Sequence, residues 1–227
     1  MKRHEIIQSV IDRKRARHYL EIGVQSGDTF LHIKAAKKMA VDPSFLIPWH
    51  VKLKWSRWNL SNLFNEYYEM PSDQFFGDHV KMLSGRRLDV VFVDGLHTYQ
   101  QSLRDIENSL LYLQDDGVII IDDCNPSSEA AGNPVKALEQ KEWNGDVWKS
   151  IAHLRSLRKD ITVFTLDCIY GIAILTRRPA QVFLDYSESE IANLTYSDLS
   201  RDRSHILNMK DLSYFSTFLE SLKPCGM

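Results

Sequence analysis

"LDVVFVDGLHTYQQSL", residues 88–103, changes character halfway along. Val90, Val91, Phe92 and Val93 form an unbroken apolar run, as a strand buried on both faces requires. Asp94 ends the run and His97 follows three residues later. Thr98 and Gln101 then take the T-x-x-Q spacing of a capping box. Leu103, Ile106, Leu110 and Leu113 recur at helical spacing. The stretch is one strand–helix unit with a carboxylate and an imidazole at its turn.

The same alternation runs along the chain. "HYLEIGV" (18–24), "MAVDP" (39–43), "EYYEM" (66–70) and "GVIIIDD" (117–123) read as strands. Helices are predicted over 3–16, 26–38, 72–84, 98–113 and near 146–158. "ITVFTLD" (161–167) and "YGIAILT" (170–176) lie close enough to pair as an antiparallel hairpin. The pattern predicts a Rossmann-like α/β fold. Its sheet is mostly parallel with one antiparallel strand, and helices cover both faces. Residues 1–178 are expected to form the main domain and 179–227 a mainly helical extension packed on it, with a helix at "FSTFLESL" (215–222). The segment 43–65 carries Trp49, Trp55 and Trp58 among Lys52, Lys54 and Arg57. It reads as a lid, as an extended binding loop, or as a helical cover that packs its tryptophans on the sheet. The basic run Arg13, Lys14, Arg15 and Arg17 reads as a solvated helix face.

Composition narrows the classes. The chain has 227 residues, 44% of them hydrophobic and 26% charged, with a formal net charge of -2. No basic domain points to nucleic acid. The apolar runs are too short to span a membrane, and the N-terminus lacks a signal core. Cys124, Cys168 and Cys225 form an odd, widely spaced set, which suits reduced thiols in the cytoplasm. The absence of a C-x-x-C pair argues against a thiolate zinc site.

Two clusters carry chemistry. In the first, "LEIGVQSGDTF" places Glu21, Gly23 and Gly27 after a strand, with Gln25 between the glycines. Glycines there permit a tight turn against a ligand. The spacing departs from the G-x-G-x-x-G of a dinucleotide site. The second cluster is acidic. Asp94 ends one strand, and Asp122 and Asp123 end the next. Strands of an open α/β sheet present ligands at their carboxyl ends. Three carboxylates at one rim repel one another, and a hard divalent cation such as Mg²⁺ relieves the repulsion.

The glycine loop resembles motif I of class I S-adenosylmethionine-dependent methyltransferases, E-x-G-x-G-x-G, with Gln25 in place of the middle glycine. "DGLHTY", "GVIIIDD", "WNGDVWKSI" and "YGIAIL" are similar to metal-dependent O-methyltransferases of the macrolide-sugar type. The resemblance covers roughly 18–176. It implies that Glu21, Gly23 and Gly27 shape the S-adenosylmethionine site, that Asp42 holds the ribose, and that Ser72 or Asp73 lies near the adenine. It further implies a metal held by Asp94, Asp122 and Asp123, with His97 as general base. The acceptor is then expected to be a small molecule or saccharide, with no nucleic acid and no membrane involved, and the chain has room to act as a homo-oligomer. Two other readings stay open: an NAD-dependent oxidoreductase on a related sheet, and a non-catalytic binding protein of the same fold.

Overall fold

The computed structural model describes residues 1–168 and 170–225. In chain order the elements are α1 (Arg3–Lys14), β1 (His18–Ile22), β2 (Lys37–Asp42), α2 (Trp49–Trp58), β3 (Glu66–Glu69), α3 (Ser72–Asp78), α4 (Val80–Gly85), β4 (Leu88–Val93) and α5 (Tyr99–Tyr112). They continue with β5 (Leu113–Ile121), α6 (Trp148–Leu157), β6 (Thr162–Leu166), β7 (Ile172–Thr176), α7 (Glu188–Asn193), α8 (Tyr196–Ile206), β8 (Met209–Lys210) and α9 (Leu212–Ser221). A 3₁₀ turn spans Leu60–Phe64. The chain folds as two compact units. One holds Met1–Gly95, Arg104–Ile119 and the C-terminal end from Leu219, and the other holds Leu96–Leu103 and Ile120–Phe218.

In the first unit the strand order is β3-β2-β1-β4-β5. β1 pairs parallel with β2 and with β4, and β2 pairs parallel with β3. Every residue of β4 is buried, as its apolar run requires. α1 packs Ile6, Ile7, Val10 and Ile11 inward. Its basic residues do more than meet solvent. Lys14 is fully buried, with its ammonium 2.9 Å from Asp116, and Arg13 donates to the carbonyls of Leu219 and Glu220.

In the second unit β7 follows the end of β5, then β6, then β8. β6 and β7 form the expected antiparallel hairpin, Phe164 opposite Ile174. The short β8 adds a parallel edge strand that local pattern did not announce. α6 is buried along most of its length, and Arg155 on it donates to the carbonyls of His205 and Ile206 at the end of α8.

Three further sequence expectations change. No helix follows the glycine loop; residues 26–36 make turns and β2 already begins at Lys37. The reason is a set of side chains that take the carbonyls a helix would use. Lys38 Nζ donates to Phe30 and Ile33, and the amides of Asn59 and Asn62 donate to Leu31 and Ile33. The helix expected over 72–84 is two short ones, broken at His79. In the 43–65 segment, "WHVKLKW" is helical rather than extended, and no residue of α2 is buried. Trp49 and Trp58 are 76% and 78% exposed, so they do not serve as a packed cover. Trp55 instead lies 4.3 Å, centroid to centroid, from the His32 ring.

Gly23 sets the spacing at the end of β1. Its φ is +85°, and a Cβ there would lie 1.8 Å from the carbonyl oxygen of Asp94. Gly23→Ala is therefore expected to lower the folding free energy by about 2 kcal/mol or more, since strained backbone and a backbone clash add. A thermal melt within a degree of wild type would contradict this.

Candidate active site

The glycine loop is held by hydrogen bonds from one carboxylate. Asp42 ends β2, and its Oδ2 accepts from the Gln25 N–H at 2.8 Å while its Oδ1 accepts from the Ser44 N–H at 2.8 Å. Carboxylate oxygens carry about four acceptor sites, so two remain after these bonds. Gln25, which stands where the motif has glycine, adopts a left-handed φ of 44°. The position thus keeps the conformation glycine would supply at a cost a longer side chain seldom accepts. The Gln25 carbonyl accepts from Leu46, and Ile47 packs where a Cβ on Gly27 would reach, 2.7 Å away. The loop is thereby tied to the start of the 43–65 segment.

Glu21 lies beneath this loop, buried, and its Oε2 accepts from the Tyr19 hydroxyl at 2.5 Å. Burial pushes the Glu21 carboxyl up to about 8, against the pull of the Tyr19 hydrogen bond. Lys38, also buried, is pushed down to about 7 by desolvation. Ser72 donates to Asp105 Oδ1 at 2.6 Å, and Asp73 lies 3.4 Å from Arg104. Both residues named for the adenine therefore already engage α5. Asp94 follows β4 and accepts from the Arg3 guanidinium at 2.7 Å. Nothing in the sequence pattern singled out Arg3.

The chain passes into the second unit between Gly95 and Leu96. There His97 and Asp123 meet, with Nε2 3.2 Å from Oδ2. His97 Nδ1 lies 2.9 Å from the Trp143 carbonyl oxygen, and the two rings stack at 4.8 Å and 20°. A carbonyl can only accept, so Nδ1 carries the hydrogen, while Nε2 faces the Asp123 carboxylate. Asp123 has a left-handed φ of 60°, and its N–H donates to Asp122 Oδ1 at 3.0 Å. Asp122 thus props the turn that aims Asp123. The other Asp123 oxygen, Oδ1, accepts from the Asn144 amide at 2.5 Å. α5 starts as its capping signal implied: Gln101 N–H reaches Thr98 Oγ1 at 3.4 Å, and Asp146 accepts from the Tyr99 N–H at 2.7 Å.

Sequence reasoning found His97 and Asp123 but not their partners on "WNGD". The Asn-Gly pair marks a turn. It does not say what that turn touches.

Residues 20–124 match the family described as a methyltransferase domain. The strand order, the parallel sheet and the β6–β7 hairpin form a Rossmann-like methyltransferase fold. The chain resembles class I S-adenosylmethionine-dependent methyltransferases. Among solved structures it is similar to an O-methyltransferase from Bacillus cereus in complex with SAH, at 14% identity and TM-score 0.58, covering 77% of this chain and 80% of that one. It is also similar to the O-methyltransferase TomG from Streptomyces achromogenes, involved in tomaymycin synthesis and in complex with SAM, at 14% identity and TM-score 0.54, covering 76% and 78%. A third, the N-methyltransferase NodS from Bradyrhizobium japonicum, shares 13% identity at TM-score 0.51, covering 78% and 95%. No curated protein matches the sequence. Among the described residues no helix is long and apolar enough to cross a membrane.

The raised Glu21 gives a test of sign. The folded state holds a proton up to about pH 8 that the unfolded chain releases near 4.5. That contribution to stability is present in full below the lower value and is lost as pH rises through the upper one. Glu21→Gln keeps an acceptor for Tyr19 but cannot ionise. Between pH 5 and 6, below the range where Lys38 titrates, the melting temperature of wild type is expected to fall relative to Glu21→Gln. Parallel curves would contradict a buried, protonated Glu21.

Proposed function

We propose that the protein transfers the methyl group of S-adenosylmethionine to a hydroxyl of a small molecule or saccharide. The observation that carries the reading is the His97–Asp123 pair, in a chain whose residues 20–124 match a methyltransferase domain. O-methyltransferases in the same fold are known bound to SAM and to SAH. The N-methyltransferase neighbour has the same fold, so fold alone leaves the acceptor atom open. His97 favours oxygen. A hydroxyl must lose its proton before or during attack, whereas a neutral amine attacks with its lone pair and needs no base first.

Each residue then has a part. Gly23 and Gly27 shape the loop at the methionine end of the donor by letting Asp94 and Ile47 pack against its backbone, and Glu21 supports the strand that leads into it. Asp42 has acceptor capacity left for ribose hydroxyls after locking Gln25 and Ser44. Ser72 and Asp73 flank the adenine. His97 acts as the base for the acceptor proton, and the imidazolium so formed is stabilised by Asp123 beside it. General-base help of this kind is worth about 10²–10⁴-fold.

A divalent cation such as Mg²⁺ fits the donor set. In the second unit Asp122 and Asp123 are hard oxygen donors, and Asn144 beside Asp123 is fully buried with its Oδ1 lacking a partner among the described residues. Asp122 and Asp123 would contribute to holding the ion. When bound it would lower the pKa of the acceptor hydroxyl and orient it.

Labelled S-adenosylmethionine offered with Mg²⁺ and a panel of sugars and small-molecule alcohols tests the reading. Transfer is expected for at least one acceptor. His97→Ala is expected to lower it about 10²-fold or more while donor affinity stays within about twofold. Full activity in His97→Ala would remove His97 as the base. EDTA is expected to suppress turnover and added Mg²⁺ to restore it; indifference to both would remove the metal from the account.

A further inference from the structure

We infer that Trp143 and Asn144 form a clamp that positions the candidate base, and that Asn144 is a positioning residue for the reaction. The inference rests on the reading of His97 as base. It goes further by naming what holds that base in its working orientation.

Four consecutive residues converge on the His97 turn. The Trp143 carbonyl fixes the hydrogen on Nδ1, and its indole covers the ring face. Asn144 donates to Oδ1 of Asp123, which leaves Oδ2 for His97 Nε2. Gly145, at φ +61°, lets the backbone pass so close to His97 that a Cβ would lie 1.7 Å from its carbonyl oxygen. Asp146 accepts from Tyr99 and anchors the start of α5. Trp143 thus sets ring tautomer and ring tilt, Asn144 the carboxylate rotamer, and Gly145 and Asp146 the backbone position.

The segment is itself held in place. The N–H groups of Asn144 and Gly145 both donate to the Ala131 carbonyl, at 2.9 and 3.0 Å. The amide orientation of Asn144 is unambiguous, because Asp123 can only accept. Its Oδ1 is then buried with no donor among the described residues. A hydroxyl or a metal-bound water would satisfy it, and leaving such an atom unpaired is costly. Mutations of partners that orient a reactive group typically cost about 10–100-fold in activity.

The test uses the full-length chain labelled with ¹⁵N at histidine. Long-range ¹H–¹⁵N spectra of the His97 ring are recorded for wild type, Asn144→Ala and Trp143→Ala, without donor or acceptor. Wild type is expected to show Nδ1 protonated in a single environment, and both variants to show shifted or averaged ring signals. In turnover, Asn144→Ala is expected to lower kcat by about 10–100-fold with KM for S-adenosylmethionine within about twofold. Ring signals unchanged in both variants would overturn the clamp, as would an unchanged kcat in folded Asn144→Ala. Trp143 is only half-buried, so its variant decides the matter if Asn144→Ala does not fold. The spectra need no methyl transfer, so the clamp and the methyltransferase reading fail separately.

Discussion

The carbonyl oxygen of Asp94 occupies the place where a Cβ on Gly23 would stand. This close approach is the constraint on which the first unit's functional end depends. β1 and β4 stay in register to their last residues, Ile22 opposite Val93, and the Asp94 N–H donates to the Ile22 carbonyl at 2.9 Å. The Gly23 N–H turns the other way, to Val41 on β2. One residue without a side chain therefore ties three strand ends together. The loop that follows can rise over Glu21, and Asp42 can reach back to lock Gln25. A bulkier residue at position 23 would separate these strands and displace both the loop and Asp94.

Buried ionisable groups are built into the first unit. Glu21, Tyr19, Lys38 and Lys14 are all buried. Burying a charge is costly unless it is paired or neutralised. Lys14 is paired with Asp116, and Glu21 is held largely protonated by burial with Tyr19 bonded to it. Lys38 donates to two backbone carbonyls and to Asn62. Its bonds replace the helix that local pattern predicts after the glycine loop. A buried amine thus decides local backbone structure several residues upstream of itself.

Continuous apolar runs made the strands legible in the sequence, because a parallel strand covered on both faces has no polar side to show. β4, β5 and the β6–β7 hairpin were readable for this reason. Helix 26–38 was misread because side chains from residues 38, 59 and 62, beyond any local window, take its carbonyls. Asp42, Asp94, Asp122 and Asp123 were legible as residues at or just past strand ends. His97 was legible through the capping signal beside it. Arg3, Trp143 and Asn144 were not, since their roles depend on contacts made across the fold. The tryptophans of the 43–65 segment resisted reading because an aromatic residue suits a core or an exposed surface equally, and only the structure shows Trp49 and Trp58 exposed.

Isothermal titration of the protein with S-adenosylmethionine tests the central claim most directly. The roles of the glycine loop, Asp42 and Glu21 all require this molecule to occupy the first unit. A single saturable site with a dissociation constant in the micromolar range is the result predicted. No heat of binding at millimolar S-adenosylmethionine, with or without Mg²⁺, would contradict the account.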